Sequence, residues 1–281
     1  MNSKPERFWE IDFFRGLAVL FMLVFHFAYT LDFFKLLKLS LNSGPLFYIG
    51  RSSAILFILL SGIALSLSHS KQEKKELGMI AAEAKEFRKK RFWKKGFGKF
   101  LKRGLKLFSL GLFLTAVSWI FIEERYIAFG ILHFFGLSSL LIYPWLSLKN
   151  GNSFSGRALS SFFLLFSSLF FLLGGLFLWK RSFRFSALLW LGFRPEAFNS
   201  LDYFPLFPWF GVLLLGLFLG KSLYPENQRL FVFPDFSKLL PVRFFCLLGR
   251  YSLLIYFLHQ PLFLAVLCLG SFLDPSLFWK I

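Results

Sequence analysis

The stretch Ile11 to Leu31 reads IDFFRGLAVLFMLVFHFAYTL, and the two bases inside it decide how the chain is read. The run is long and apolar enough to cross a bilayer as a helix, which takes about 20 residues. Arg15 and His26 interrupt it, eleven residues apart. That spacing is about three helical turns, so both side chains leave on one side, roughly 16 Å apart along the axis. Asp12, Arg15, Val19, Met22, His26 and Tyr29 follow at spacings of three and four and form one stripe. Ionisable groups in a spanning helix are costly and face a bundle interior or a wet cavity. The stripe therefore predicts a helix face used for chemistry or ligand contact. An ion pair between Asp12 and Arg15 is the structural alternative for those two charges.

The rest of the chain agrees with a membrane setting. Of 281 residues 56% are hydrophobic and 44 are Phe. Mean hydropathy is +0.61, above what a soluble domain carries. The expected fold is all-α, a polytopic membrane bundle of about seven or eight transmembrane helices, in one domain over residues 1–281. The net charge of +18 raises nucleic acid as a partner. Its distribution argues against that: from Lys71 to Lys106 there are 14 Lys/Arg against 4 Glu, a net +10 in one loop between apolar spans. Basic residues packed in a loop are the positive-inside signal, and such a face also suits anionic headgroups or phosphates. Much of this loop, residues 69–106, is Lys-, Glu- and Ala-rich without Pro and reads as a helical extension.

Apolar runs fall at about 11–32, 46–68, 104–122, 127–146, 158–179, 206–223 and 247–270. Phe183 to Phe193 is apolar but interrupted by Arg184, and reads as an interfacial or re-entrant piece or part of an eighth span. With the loop 69–106 in the cytoplasm, the N-terminus is cytoplasmic and the first helix runs outward. The loop 180–205 then falls outside although it carries Lys180, Arg181, Arg184 and Arg194. Either it folds back into the bundle or the count of spans is off by one. Lys4 and Arg7 precede an apolar stretch as in a signal peptide. The stretch is too long, holds Asp12 and Arg15, and has no small-residue cleavage site, so a retained membrane helix is expected. Cys246 and Cys268 lack metal-ligand spacing and read as buried small hydrophobes; no metal is expected.

This topology sets the depth of the polar groups. Arg15 lies in the inner half and His26 about two-thirds of the way out. His133 lies a third of the way in from the outer end of its helix, and His259 is near the middle of the last. His69 sits solvated at the mouth of the basic loop. Ser252, Tyr256 and His259 share a face, with Gln260 and Pro261 next. Gly130, His133 and Gly136 lie on one side, where small residues admit a neighbouring helix, as do Gly216 and Gly220. Asp202 stands at the outer mouth of the span that Pro205 and Pro208 introduce.

These residues resemble a known group. Arg7 to Ala18 (RFWEIDFFRGLA) with Phe25-His26-Phe27 is similar to the opening of the heparan-alpha-glucosaminide N-acetyltransferase catalytic-domain family. Further matching motifs are Gly50-Arg51, Ser61-Gly62-Ile63, Lys102-Arg103-Gly104, Phe129 to His133, Asp202 to Pro205, Pro208 to Gly211, Leu248 to Leu253 and Ile255 to Pro261. The resemblance covers roughly residues 7 to 265. The spacing of Arg15 and His26 also resembles the arginine-ten-residues-histidine motif of the wider transmembrane acyltransferase superfamily. It implies an integral membrane acyltransferase, with acetyl-CoA from the cytoplasm as co-substrate and a sugar or glycolipid of the envelope as acceptor. The family's animal heparan substrate does not carry over to this chain.

The resemblance implies that His26 matches the catalytic histidine, acting as base or as a transiently acetylated nucleophile. Arg15 matches the arginine on the acyl-CoA side. Lys102, Arg103 and Lys106 are placed to meet CoA phosphates. Asp12, His133, Asp202, Tyr203, Tyr256 and His259 are the residues expected to orient His26 or bind the acceptor. The expected location is multi-pass in a bacterial inner (cytoplasmic) membrane, among lipids and with an oligomer open. The rival is a transporter or proton-coupled permease without acyl transfer, since buried His, Asp and Arg also build proton relays. The inverted repeat common in transporters is not visible here.

Overall fold

A computed structural model describes residues 7–79, 85–122, 125–146, 154–196, 198–232 and 234–273. They form α1 (Trp9–Phe33), α2 (Gly44–Met79), α3 (Lys85–Phe121), α4 (Ile131–Leu141), α5 (Tyr143–Leu146), α6 (Phe154–Trp179), α7 (Leu206–Leu223), α8 (Leu240–Arg250) and α9 (Ser252–Leu273). Six of these helices are long and apolar enough to cross a membrane, and α4 is a shorter apolar one. The protein is an all-α polytopic membrane bundle. The basic stretch is largely helical, because α2 runs on to Met79 and α3 starts at Lys85.

Two of the expected spans are cut differently. The run 127–146 is helical only from Ile131, and α4 stops at Leu141 before α5 begins. Pro144 has no N–H to give Leu140 and so cannot continue the first helix. Residues before Ile131 direct their backbone bonds sideways instead: Leu201 N–H donates to Arg125 O (3.1 Å) and Phe204 N–H to Phe129 O (2.8 Å). The run 247–270 breaks at Tyr251 into α9 and an amphipathic α8 that starts earlier, at Leu240. Phe183 to Phe193 forms no span. It holds one 3-10 turn, Leu189–Leu191, and Phe183 N–H donates to Arg194 O (2.9 Å).

The chain divides into two compact units, Met1–Leu60 with Val232–Ile281, and Ser61–Phe231, the division falling within α2. In the first, α1 packs on α8 and α9. Glycines decide the α1–α8 crossing. A Cβ on Gly16 would lie 1.9 Å from Phe245 O, and one on Gly249 would lie 2.0 Å from Asp12 O. Between helices in lipid there is little hydrophobic drive, so bare backbone that permits close approach is what holds them. The Ser53 hydroxyl donates to Ala18 O (2.8 Å), which ties α2 to α1. Leu254, Leu258, Leu262 and Leu269 of α9 are exposed and form a lipid-facing surface.

In the second unit α3 pairs with α4 and α6 with α7. Gly104 meets Gly136 O, Gly136 meets Phe108, and Gly111 meets the His133 ring, so α4 runs antiparallel along α3. Tyr143 of α5 then meets Phe97 edge-on and Phe100 at a tilt at the start of the α3 span, each ring centroid 5.7 Å away. Extended chain, α4 and α5 together thus run alongside the α3 span. The core of this unit is α7, whose Phe210, Leu213, Leu214 and Leu217 are fully buried. Gly211 admits α6, with the Ser168 hydroxyl donating to Gly211 O (2.8 Å), and Gly216 and Gly220 admit α2 at Gly62 and Ser66.

Candidate active site

The first unit brings His26 of α1 and His259 of α9 together, with ring centroids 4.9 Å apart and planes tilted by 57°. Helical spacing alone did not show this meeting. Two more side chains close around it. Thr30, one turn after His26, donates its hydroxyl to His26 O (2.8 Å). Gln260 Nε2 lies 3.5 Å from His26 Nδ1, and Gln260 Oε1 lies 3.3 Å from Thr30 Oγ1.

The Thr30 hydroxyl also donates to Gln260 Oε1, which leaves the amide nitrogen facing His26 Nδ1. In this orientation Nδ1 accepts and the ring proton of His26 sits on Nε2; with the amide turned over it sits on Nδ1. His259 Nδ1 lies 2.7 Å from Tyr256 O, which only accepts, so Nδ1 carries the proton there. Tyr256 thus contributes its carbonyl, and its ring lies 5.7 Å from that of His259.

Arg15 lies about three turns earlier on α1 and Asp12 about four. Asp12 is 3% exposed and is surrounded by guanidinium groups. Arg7 Nε is 3.1 Å and Arg250 Nε 3.2 Å from its Oδ2, and Arg15 Nη1 is 3.7 Å from Oδ1. The i,i+3 pair therefore exists, on a carboxylate that Arg7 and Arg250 share, and the buried Glu10 acts on the same neighbourhood at Cys246. Arg7 and Arg250 reach Asp12 from positions that periodicity could not connect to it. Beside them, burial pushes the Cys246 thiol up, Asp12 adding to the shift and Arg250 opposing it. Cys246 is buried as expected, but Cys268 is exposed on α9.

The remaining residues fall in the second unit and are used by its fold. His133 Nδ1 accepts from Gly130 N–H (3.3 Å), and its Nε2 lies 3.5 Å from Thr115 Oγ1, whose own proton goes to Ile127 O (2.6 Å). Asp202 Oδ2 accepts from Ile131 N–H (3.0 Å) and so caps α4 from a distant loop. A Cβ on Gly130 would come 2.5 Å from that oxygen, which explains the glycine. The Tyr203 hydroxyl donates to Leu189 O (2.8 Å), and burial pushes this phenol well above its ordinary range. Lys102, Arg103 and Lys106 are exposed on α3. His69 is half-buried on α2 rather than freely solvated.

The family model for the catalytic region of heparan-alpha-glucosaminide N-acetyltransferase matches residues 7–261. The chain belongs to that family. Membership places it among transmembrane acetyltransferase-like proteins, and both the imidazole pair and the arginine cluster fall within the matched residues. No curated protein and no solved structure matches the chain. Among the described residues no group of His, Cys, Asp and Glu is arranged to hold a metal ion.

Proposed function

We propose that this protein transfers an acetyl group from cytoplasmic acetyl-CoA to an amine or hydroxyl of an envelope sugar or glycolipid. The reading rests on the family and on one observation, the layout of α1. Arg15, in the cluster around Asp12, and His26, beside His259, stand on the same helix. They are separated along it by about 16 Å. The arm of CoA, from its inner phosphate to its sulfur, has about thirteen bonds and extends to roughly 15 Å at the reach of a peptide chain. A phosphate held by Arg15 and Arg250 would thus bring the thioester to His26.

Chemistry then follows from the groups present. The acceptor's nitrogen or oxygen attacks the thioester carbon, and His26 takes its proton on the ring nitrogen that holds the lone pair. The new bond to carbon forms, the carbon–sulfur bond breaks, and CoA leaves as a thiol after gaining a proton. Lys102, Arg103 and Lys106, in the second unit, are cations of the kind that phosphates bind. Asp202, His133 and Tyr203 serve as framework, since their polar atoms are engaged by neighbouring backbone. The setting that fits is a bacterial inner membrane with the N-terminus in the cytoplasm, where the donor is made.

The test is acetyl transfer by purified protein in detergent, with labelled acetyl-CoA and a panel of sugars. His26→Ala is expected to abolish transfer and keep the wild-type elution profile. Wild-type turnover in that variant overturns the assignment. Proton flux in liposomes without thioester consumption would favour the permease.

A further inference from the structure

His259 is 5% exposed, and its Nε2 is buried with no hydrogen-bond partner. Its Nδ1 faces a carbonyl, which only accepts, so Nδ1 carries the proton and Nε2 a lone pair. A buried acceptor left unfilled is destabilising and calls for an explanation. His133 shows what a structural histidine does in this same molecule. It is 2% exposed, yet both of its nitrogens have partners. His259 keeps one nitrogen open, 4.9 Å ring to ring from the histidine to which the transfer is assigned. Its ring is also held by edge contact with Phe263, at 5.7 Å. Pro261, two residues on, has no N–H for Phe257 O, so the helix is loosened at this turn. The titratable rings in contact with His259 are His26 from α1 and Tyr256 from its own helix.

We propose that His259 is the proton relay of the transfer reaction: the acceptor's proton, taken by His26, passes to Nε2 of His259 and from there to the departing sulfur. This rests on the transferase reading and deepens it. Attack on a thioester takes a proton from the nucleophile and returns one to the leaving sulfur. A second lone pair beside His26 gives that proton a separate exit to the sulfur. The balance closes within the site. The bond from acceptor to carbon forms, the carbon–sulfur bond breaks, and its electron pair leaves on sulfur. One proton moves from the acceptor through His26 and His259 to that sulfur, and both imidazoles end neutral.

His259→Asn is the informative variant. Its amide can keep the bond to Tyr256 O where Nδ1 stood, and it removes Nε2. We expect kcat to fall by about 10²–10⁴-fold, the scale of a lost acid–base group, with KM for acetyl-CoA unchanged. The acid limb of log kcat against pH should lose one of its two protons. A packing role would lower stability without changing that limb. The wild-type protein gives a second measurement that needs no variant: single-turnover rates in mixtures of light and heavy water. Two protons in flight give a curved dependence on deuterium content; a linear or flat one overturns the relay. Wild-type kcat and an unchanged acid limb in His259→Asn also overturn it. A wild-type protein that never consumes acetyl-CoA instead removes the transferase reading beneath it.

Discussion

Tyr203 shows how the same polar residue reads differently before and after its surroundings are known. In the sequence it stands beside Asp202 at the mouth of a span and suggests ligand contact. In the fold its hydroxyl is committed to Leu189 O. Burial holds the phenol protonated beyond its ordinary range, with Arg194 pulling weakly the other way. The sign of the consequence is fixed. Above about pH 10 the unfolded chain releases this proton while the folded chain keeps it. The unfolded state then binds fewer protons, so stability falls as pH rises. Tyr203→Phe should cost about 1 kcal/mol at neutral pH, the worth of one hydrogen bond. It should also flatten the loss of stability in the alkaline range. Thermal unfolding in detergent at neutral pH and above pH 10 checks both; an equally steep alkaline loss in the variant means Tyr203 is not its source.

Helix contacts here are set by where side chains are missing. A methyl group on Gly16 or Gly249 would enter the backbone of the facing helix, while one on Gly98 of α3 meets nothing within 4 Å. Gly16→Ala and Gly249→Ala should each destabilise by about 1–3 kcal/mol or more, as overpacking does. Gly98→Ala should be neutral or stabilise by about 0.4–1 kcal/mol. Melting temperatures of the three variants test this, and equal losses in all three would mean that crossings do not depend on bare backbone. The same elements show what was legible beforehand. Six of the seven apolar runs became helices long enough to span, because hydropathy over about 20 residues is a local property. The break in the fourth run was not legible, since its extended part is stabilised by backbone bonds to residues 201 and 204, far away in sequence. Arg15 and His26 were found by their spacing on one helix. Arg250, 238 residues from Asp12, and the meeting of His26 with His259 depend on tertiary packing and leave no periodic signal. Thr30 could have been found, as it stands one turn beyond His26.

For the molecule as a whole, the arrangement of charge and crossings gives a topology that can be tested directly. The stretch 180–205 is more basic than the positive-inside rule expects of an external loop. In the structure two of its arginines fold back on the end of α6: Arg181 stands over the Phe177 ring at 4.0 Å, and Arg194 stands over Trp179 and donates to Trp179 O. Cations at a helix C-terminus are favoured by its dipole and by its unpaired carbonyls. These charges therefore stabilise α6 locally and count for less as free cytoplasmic anchors. The composite of residues 125–146 returns along α3 to the level of Phe97, so it completes a crossing although α4 has only 11 residues. Irregular backbone at membrane depth is tolerated where protein satisfies it, as the paired segments near Phe129 and Phe204 do here. With that crossing included, Lys71 should lie on the same side as Arg7, and Lys38 and Arg184 on the other. Single cysteines at Lys71, Lys38 and Arg184, placed in a chain with Cys246→Ser and Cys268→Ser, can be labelled with an impermeant maleimide in oriented vesicles. Lys38 and Arg184 should label together and Lys71 only after the vesicles are opened. If Arg184 labels with Lys71 instead, residues 125–146 do not cross, and every element from α6 onward must be inverted.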